Sequence, residues 1–279
     1  MSAQDIAAPV AVWRRCGNNV GVALAALTRK PRIDPKRPWL LPQRELAIAA
    51  VAAVVVFVLG MLLIDAPAIR LVPRLPHWVV SFFESITDYG KSGYVLWPLG
   101  LLFLALAALP PLTSKMQQRV LAAVMVRAGF VFTAVAVPGL FDTTIKRLIG
   151  RARPMVGGSL DPTLFHPFAW RPDYASLPSG HATTSFALMV AVASLWPRAR
   201  TYVLIYALLI ATSRVVVTAH YPTDVAAGAL VGITGALLVR RWFAMRRLGF
   251  SFGPDGVPHQ YPGPSLKRLK AVARAVLAD

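Results

Sequence analysis

The chain has 279 residues, 56% of them hydrophobic and only 15% charged, yet its formal net charge is +18. So little charge excludes an ordinary soluble domain of this length. It assigns the basic excess to membrane flanks and anionic lipid rather than to nucleic acid. The one cysteine, Cys16, excludes an intrachain disulfide and a cysteine-rich metal site.

Residues 1–44 are basic and interrupted by Pro31, Pro35, Pro38 and Pro42, which does not fit a cleavable signal. They read as a basic, proline-rich cytoplasmic segment. Leu46–Ile64 is nineteen uncharged residues, enough for one span. Trp78–Tyr89 mixes aromatic, apolar and acidic residues and predicts an interfacial helix before the second span. Ser92–Ser114 is uncharged over twenty-three residues, and Val120–Phe141 carries only Arg127. His181–Pro197, Thr201–Ser213 and Val225–Val239 are shorter apolar runs. Together they predict an all-α, six-transmembrane bundle over residues 45–243. In the tail, 244–279, Ser265–Ala278 spaces Leu266, Leu269, Val272, Ala273 and Val276 helically between basic residues. It is either a basic amphipathic helix on the inner leaflet or a disordered tail.

Loop charge sets the orientation. With both termini cytoplasmic, twenty basic residues fall inside and nine outside, Arg127 lying within a span. Three unusual stretches then share the outer, periplasmic face: "KRLIGRARP" (Lys146–Pro154), "PSGH" (Pro178–His181) and "SRVVVTAHYPTD" (Ser213–Asp224). Charged groups beside hydrocarbon are expensive and mark function.

The grouped residue types suit a phosphate. Lys146 and Arg153 are seven apart, two turns along one face if the helix continues. Arginine offers a planar fork to phosphate oxygens and lysine a point charge. Ser179 and Gly180 stand where a helix begins, with its amides and dipole favouring an anion. Asp224, four residues after His220, can accept a bond from one imidazole nitrogen and leave the other as base or nucleophile. His181 remains as the acid for a leaving oxygen.

These stretches resemble the signature of the type-2 phosphatidic acid phosphatase superfamily, which also holds bacterial acid phosphatases and vanadium haloperoxidases. That signature is a lysine, six residues, then Arg-Pro; later Pro-Ser-Gly-His; later Ser-Arg, five residues, His, three residues, Asp. Lys146 with Arg153-Pro154, Pro178–His181, and Ser213-Arg214 with His220 and Asp224 fill every defined position. The resemblance implies a membrane lipid phosphatase, since the haloperoxidase relatives are soluble. It implies His220 as nucleophile, Asp224 as its orienter and His181 as acid and then base. It implies Lys146, Arg153, Ser179, Gly180 and Arg214 as phosphate ligands, with no cofactor. Without a carboxylate cluster on the outer side, no hard metal is expected. Candidate substrates are lipid A, undecaprenyl pyrophosphate, phosphatidylglycerol phosphate and phosphatidic acid. Transfer of the phosphoryl group to a sugar or lipid hydroxyl is the alternative to hydrolysis.

Other residues read more plainly. Arg147 and Arg151 are taken as solvated, with a second phosphate or a headgroup as the alternative. Leu164–Pro172 is an aromatic belt or a lip over the headgroup. His166 is a surface histidine, Glu84 and Asp88 face water, and Asp142 pairs with Lys146 one turn on.

Overall fold

A computed structural model describes residues 42–108, 114–158 and 160–278, together with 14, 16–18, 20–21, 24–25 and 27–32. Pro35 and Pro38 of the basic segment, and residues 109–113 of the second apolar run, lie outside the described residues.

The first helical stretch is α1 (Gln43–Gly60), a π-helical turn (Met61–Asp65), α2 (Ala66–Leu71) and a short 3-10 turn (Val72–Arg74). It passes the predicted end at Ile64 without a break, giving a 32-residue helix. Its valines and leucines face outward: Val51, Val56 and Leu63 are 63%, 69% and 68% exposed. In a bilayer that surface faces lipid, which needs no burial against protein.

Helix α3 (His77–Thr87), a 3-10 turn (Asp88–Gly90) and α4 (Gly93–Ala108) follow, then α5 (Lys115–Ile149). Next come α6 (Gly180–Leu195), α7 (Arg200–Val216) and α8 (Pro222–Met245). Among the described residues five helices are long and apolar enough to cross a membrane; α6, with sixteen residues, is a shorter apolar helix.

Contacts divide the chain into two units. The larger comprises Pro35–Val95 and Thr133–Val239. Its core packs Phe186, Ala207 and Ala211 against Met189, Tyr206, Val225, Ala229 and Ile233, joining α6, α7 and α8. Helices α6 and α8 cross closely because Gly228 and Gly232 have no side chains. A Cβ there would lie 2.4 Å from the Ser179 carbonyl oxygen and 2.3 Å from that of Thr183, respectively. This is the small-residue spacing by which apolar helices approach.

The other unit comprises Met1–Asp34, Leu96–Phe132 and Arg240–Asp279. Within it Phe130 meets the rings of Phe243 and Phe250, 5.5 and 4.7 Å between centroids. The architecture is all-α as expected, with one small antiparallel hairpin in the tail, β1 (Phe250–Phe252) with β2 (Pro258–Gln260). Each strand has three residues, too few for alternation to show in sequence. The tail forms α9 (Leu266–Ala278), with Val272 buried and Lys267, Arg268, Lys270 and Arg274 exposed.

Candidate active site

The three motifs converge within the larger unit. Lys146 lies in the last turn of α5, its Nζ 2.5 Å from Oδ2 of buried Asp142, the predicted pair. The helix then stops at Ile149, so the condition under which Lys146 and Arg153 would share one helical face is not met. Gly150 takes φ +66°, and a Cβ there would stand 1.9 Å from the His166 carbonyl oxygen. Glycine is the residue that permits this C-terminal turn.

Beyond it the chain is held in extended form. His166 N–H donates to the Gly150 carbonyl at 2.7 Å, and Ala152 N–H to that of Leu164 at 2.9 Å. Arg153 is fixed by its own N–H on the Asp173 carbonyl, 2.8 Å, and by Nε on that of Pro172, 3.1 Å. Its Nη1 reaches the Ala219 carbonyl, beside His220, at 3.4 Å. Burial pushes its guanidinium pKa down, with Asp224 and Asp173 opposing.

Helix α6 begins at Gly180 with Ser179 as its N-cap residue. A Cβ at Gly180 would lie 3.1 Å from Lys146 Nζ, so the first and second motifs touch there. The Ser179 N–H donates to the Asp224 carbonyl, joining the second motif to the third. Ser179 Oγ, His181 Nε2 and Arg214 Nε are buried with no hydrogen-bond partner among the described residues. Such groups are costly unless a ligand completes them. All three belong to the predicted phosphate and acid set.

Arg214 lies in the last turn of α7, and its carbonyl accepts the N–H of both Ala219 and His220 at 3.1 Å. Its Nη1 donates to Thr87 Oγ1 at 2.5 Å. His220 is 2% exposed. Burial pushes its pKa down to about 4, against the pull of Asp224, with Arg153 and Arg214 adding to the lowering. The imidazole is therefore neutral at neutral pH and keeps a lone pair for attack.

Nδ1 of His220 is 3.7 Å from Asp224 Oδ2, too long for a hydrogen bond. Ser176 Oγ lies at the same corner, 3.5 Å from Nδ1 and 2.6 Å from Asp224 Oδ2. Asp224 Oδ2 also accepts Tyr221 N–H at 2.9 Å, and its Oδ1 accepts Arg151 Nη1 at 2.6 Å.

Arg151 is the main departure from the sequence reading. It is fully buried, neither solvated nor placed to meet a second phosphate, and is ion-paired to Asp224 and Asp65. Asp65, Thr87 and Ser176 also escaped the motif reading. Asp65 follows the uncharged run Leu46–Ile64 directly, where an acid reads as a helix end. Among the described residues no group of three or more His, Cys, Asp or Glu could hold a metal.

Residues 127–248 match the PAP2 superfamily. The chain is 36% identical over 202 residues to "Lipid A 1-phosphatase" of Rhizobium johnstonii, covering 72% of this chain and 82% of that one. It is 36% identical over 201 residues to "Lipid A 1-phosphatase" of Rhizobium etli, covering 72% and 86%. The crystal structure of Aquifex aeolicus LpxE aligns at 22% identity and TM-score 0.46, over 63% of this chain and 94% of that one. With its signature complete and relatives matched over most of their length, the chain belongs to the PAP2 superfamily: it is a multi-pass membrane lipid phosphatase, a metal-independent hydrolase of lipid phosphate monoesters.

Proposed function

We propose that the enzyme removes the 1-phosphate of lipid A at the outer face of the inner membrane, through a phosphohistidine on His220. The observation that carries the substrate is the 36% identity to two relatives of that name, over more than four-fifths of each. What supports the chemistry is a buried neutral imidazole beside Arg153 and Arg214.

In this mechanism Nε2 of His220 attacks phosphorus, and the bond from phosphorus to the glycosidic oxygen breaks. His181, protonated once the phosphate dianion is bound beside it, gives its proton to that oxygen. His181 then takes a proton from water, whose oxygen attacks the phosphohistidine and releases inorganic phosphate and neutral His220. Lys146, Arg153, Arg214, Ser179 Oγ and the Gly180 amide hold the phosphoryl oxygens as charge redistributes. Asp224 steadies the imidazolium side of His220.

The orientation rests on charge: with six crossings, both termini are cytoplasmic and the site is periplasmic. Sixteen-residue α6 spans about 24 Å at 1.5 Å per residue, short of the roughly 30 Å hydrocarbon core. Its crossing therefore enlists flanking residues such as Trp196. Five crossings would instead put the termini on opposite sides, and labelling of cysteines placed at each end of intact cells decides between them.

The test of function is phosphate release by detergent-solubilised protein from lipid A, undecaprenyl pyrophosphate, phosphatidylglycerol phosphate and phosphatidic acid, beside His220→Ala. Release chiefly from lipid A, lost in the variant, supports the proposal. Release chiefly from another lipid overturns the substrate. An active His220→Ala overturns the nucleophile.

A further inference from the structure

Among the described residues two buried carboxylates lie outside the motifs, Asp142, which pairs with Lys146, and Asp65. Asp65 closes the π-helical turn of the first helix and is fully buried. The π turn inserts an extra residue, the kind of irregularity that accompanies functional sites in helices. Asp65 Oδ1 accepts Thr223 N–H at 3.0 Å. Its Oδ2 accepts Thr223 Oγ1 at 2.5 Å and Arg151 Nη2 at 2.7 Å.

Arg151 spreads its fork over both acids. Nη1 reaches Asp224 Oδ1 at 2.6 Å and Thr223 Oγ1 at 2.8 Å, while Nε reaches the Pro162 carbonyl at 3.0 Å. Its guanidinium carbon lies 4.6 Å from the centroid of the Tyr221 ring. A planar fork held at both ends has no rotational freedom left. It occupies one Asp224 oxygen and leaves the other, Oδ2, to Ser176, Tyr221 N–H and the Nδ1 side of His220.

We propose that Asp65 and Arg151 are positioning residues for the hydrolytic site: the first helix holds Arg151, and Arg151 fixes which oxygen Asp224 turns toward His220. The inference rests on the reading of His220 as nucleophile. A merely structural clamp between helices would show the same contacts, so charge must be separated from packing. The charged groups acting on His220 are Asp224 from α8, Arg214 from α7 and Arg153 from the loop after α5, with His181 of α6 beside it. Asp65 and Arg151 add one charge of each sign behind Asp224.

The experiment is the pH profile of kcat/KM, with kcat and KM, for Asp65→Asn, Arg151→Lys and Arg151→Gln on lipid A in detergent. Asp65→Asn removes a negative charge but keeps the shape. It should lower kcat by about 10- to 100-fold, with KM little changed, and move the acid limb to lower pH. Arg151→Lys keeps the charge and loses the fork; kcat should fall with the limb unmoved. Arg151→Gln should move the limb to higher pH, and if it cannot be recovered folded the other two carry the test. An Asp65→Asn enzyme with wild-type kcat overturns the proposal. So does a loss that follows only the folded fraction in thermal unfolding, with the limb unmoved. Activity in His220→Ala would instead sink the nucleophile reading itself.

Discussion

The backbone N–H of Ser179 donates to the carbonyl of Asp224 at 2.9 Å. This one bond ties the start of α6, where the phosphate ligands cluster, to the first turn of α8, which carries the aspartate behind His220. Gly228 and Gly232 hold the same seam one and two turns further on.

Substituting these glycines tests the seam. In Gly228→Ala the new Cβ meets the Ser179 carbonyl oxygen at 2.4 Å, and that neighbour is backbone, so a helix must move. We expect Gly228→Ala and Gly232→Ala each to cost about 1–3 kcal/mol of stability, read as earlier thermal unfolding in detergent. Gly228→Ala should also lose activity, because the displaced atom belongs to Ser179. Wild-type unfolding in both variants would refute the close crossing.

The buried state of His220 sets a pH dependence. Its pKa in the fold is about 4, against about 6.5 in an unfolded chain, so between these values the unfolded chain binds the extra proton. The stabilising contribution is therefore complete above about 6.5 and is lost as pH falls toward 4. The rate should follow, since only neutral imidazole attacks, and the acid limb of kcat/KM should fall well below 6.5. A limb at or above 6.5 in the free enzyme would show that His220 is not held neutral by burial.

Thr87 governs Arg214. Its Oγ1 takes both the Arg214 guanidinium at 2.5 Å and Ser213 Oγ at 2.9 Å. Thr87→Val removes the acceptor at constant volume and should lower kcat/KM by about 10-fold, near 1.4 kcal/mol. Thr87→Ser should recover most of it. Equal rates in all three enzymes would mean that Arg214 is oriented by other contacts.

Metal removal should change nothing. Dialysis against EDTA should leave the rate of lipid phosphate release as it was, and added Mg²⁺ should not raise it, because cationic side chains occupy the role of the ion. A rate abolished by EDTA and restored by Mg²⁺ would contradict that account.

The motif residues were legible because their types are costly in an apolar chain and their spacings are short. His220 and Asp224 lie four apart across a helix start, and Ser179-Gly180 opens a helix in both sequence and structure. The clamp behind them was not legible. Asp65 is 159 positions from Asp224, and nothing local tells an acid that turns inward from one at a helix end. Thr87 and Ser176 are ordinary polar residues until a partner is brought to them. The break at Gly150 did have a signal, a glycine just after Lys146 and Arg147, the usual end of a helix. The seven-residue spacing from Lys146 to Arg153 is equally compatible with a continuous helix, so spacing alone leaves the break open. The hairpin at Phe250–Gln260 left none, its strands being shorter than any period that could announce them.

The loop between the first two motifs is anchored by main-chain bonds, at Gly150, Ala152 and Arg153, while Phe168 and Trp170 at its rim stand 68% and 71% exposed. Backbone anchoring leaves those rim side chains exchangeable. Natural drift or deliberate redesign can therefore recut the exposed surface of this loop while the bonds that fix Arg153 beneath it are inherited unchanged.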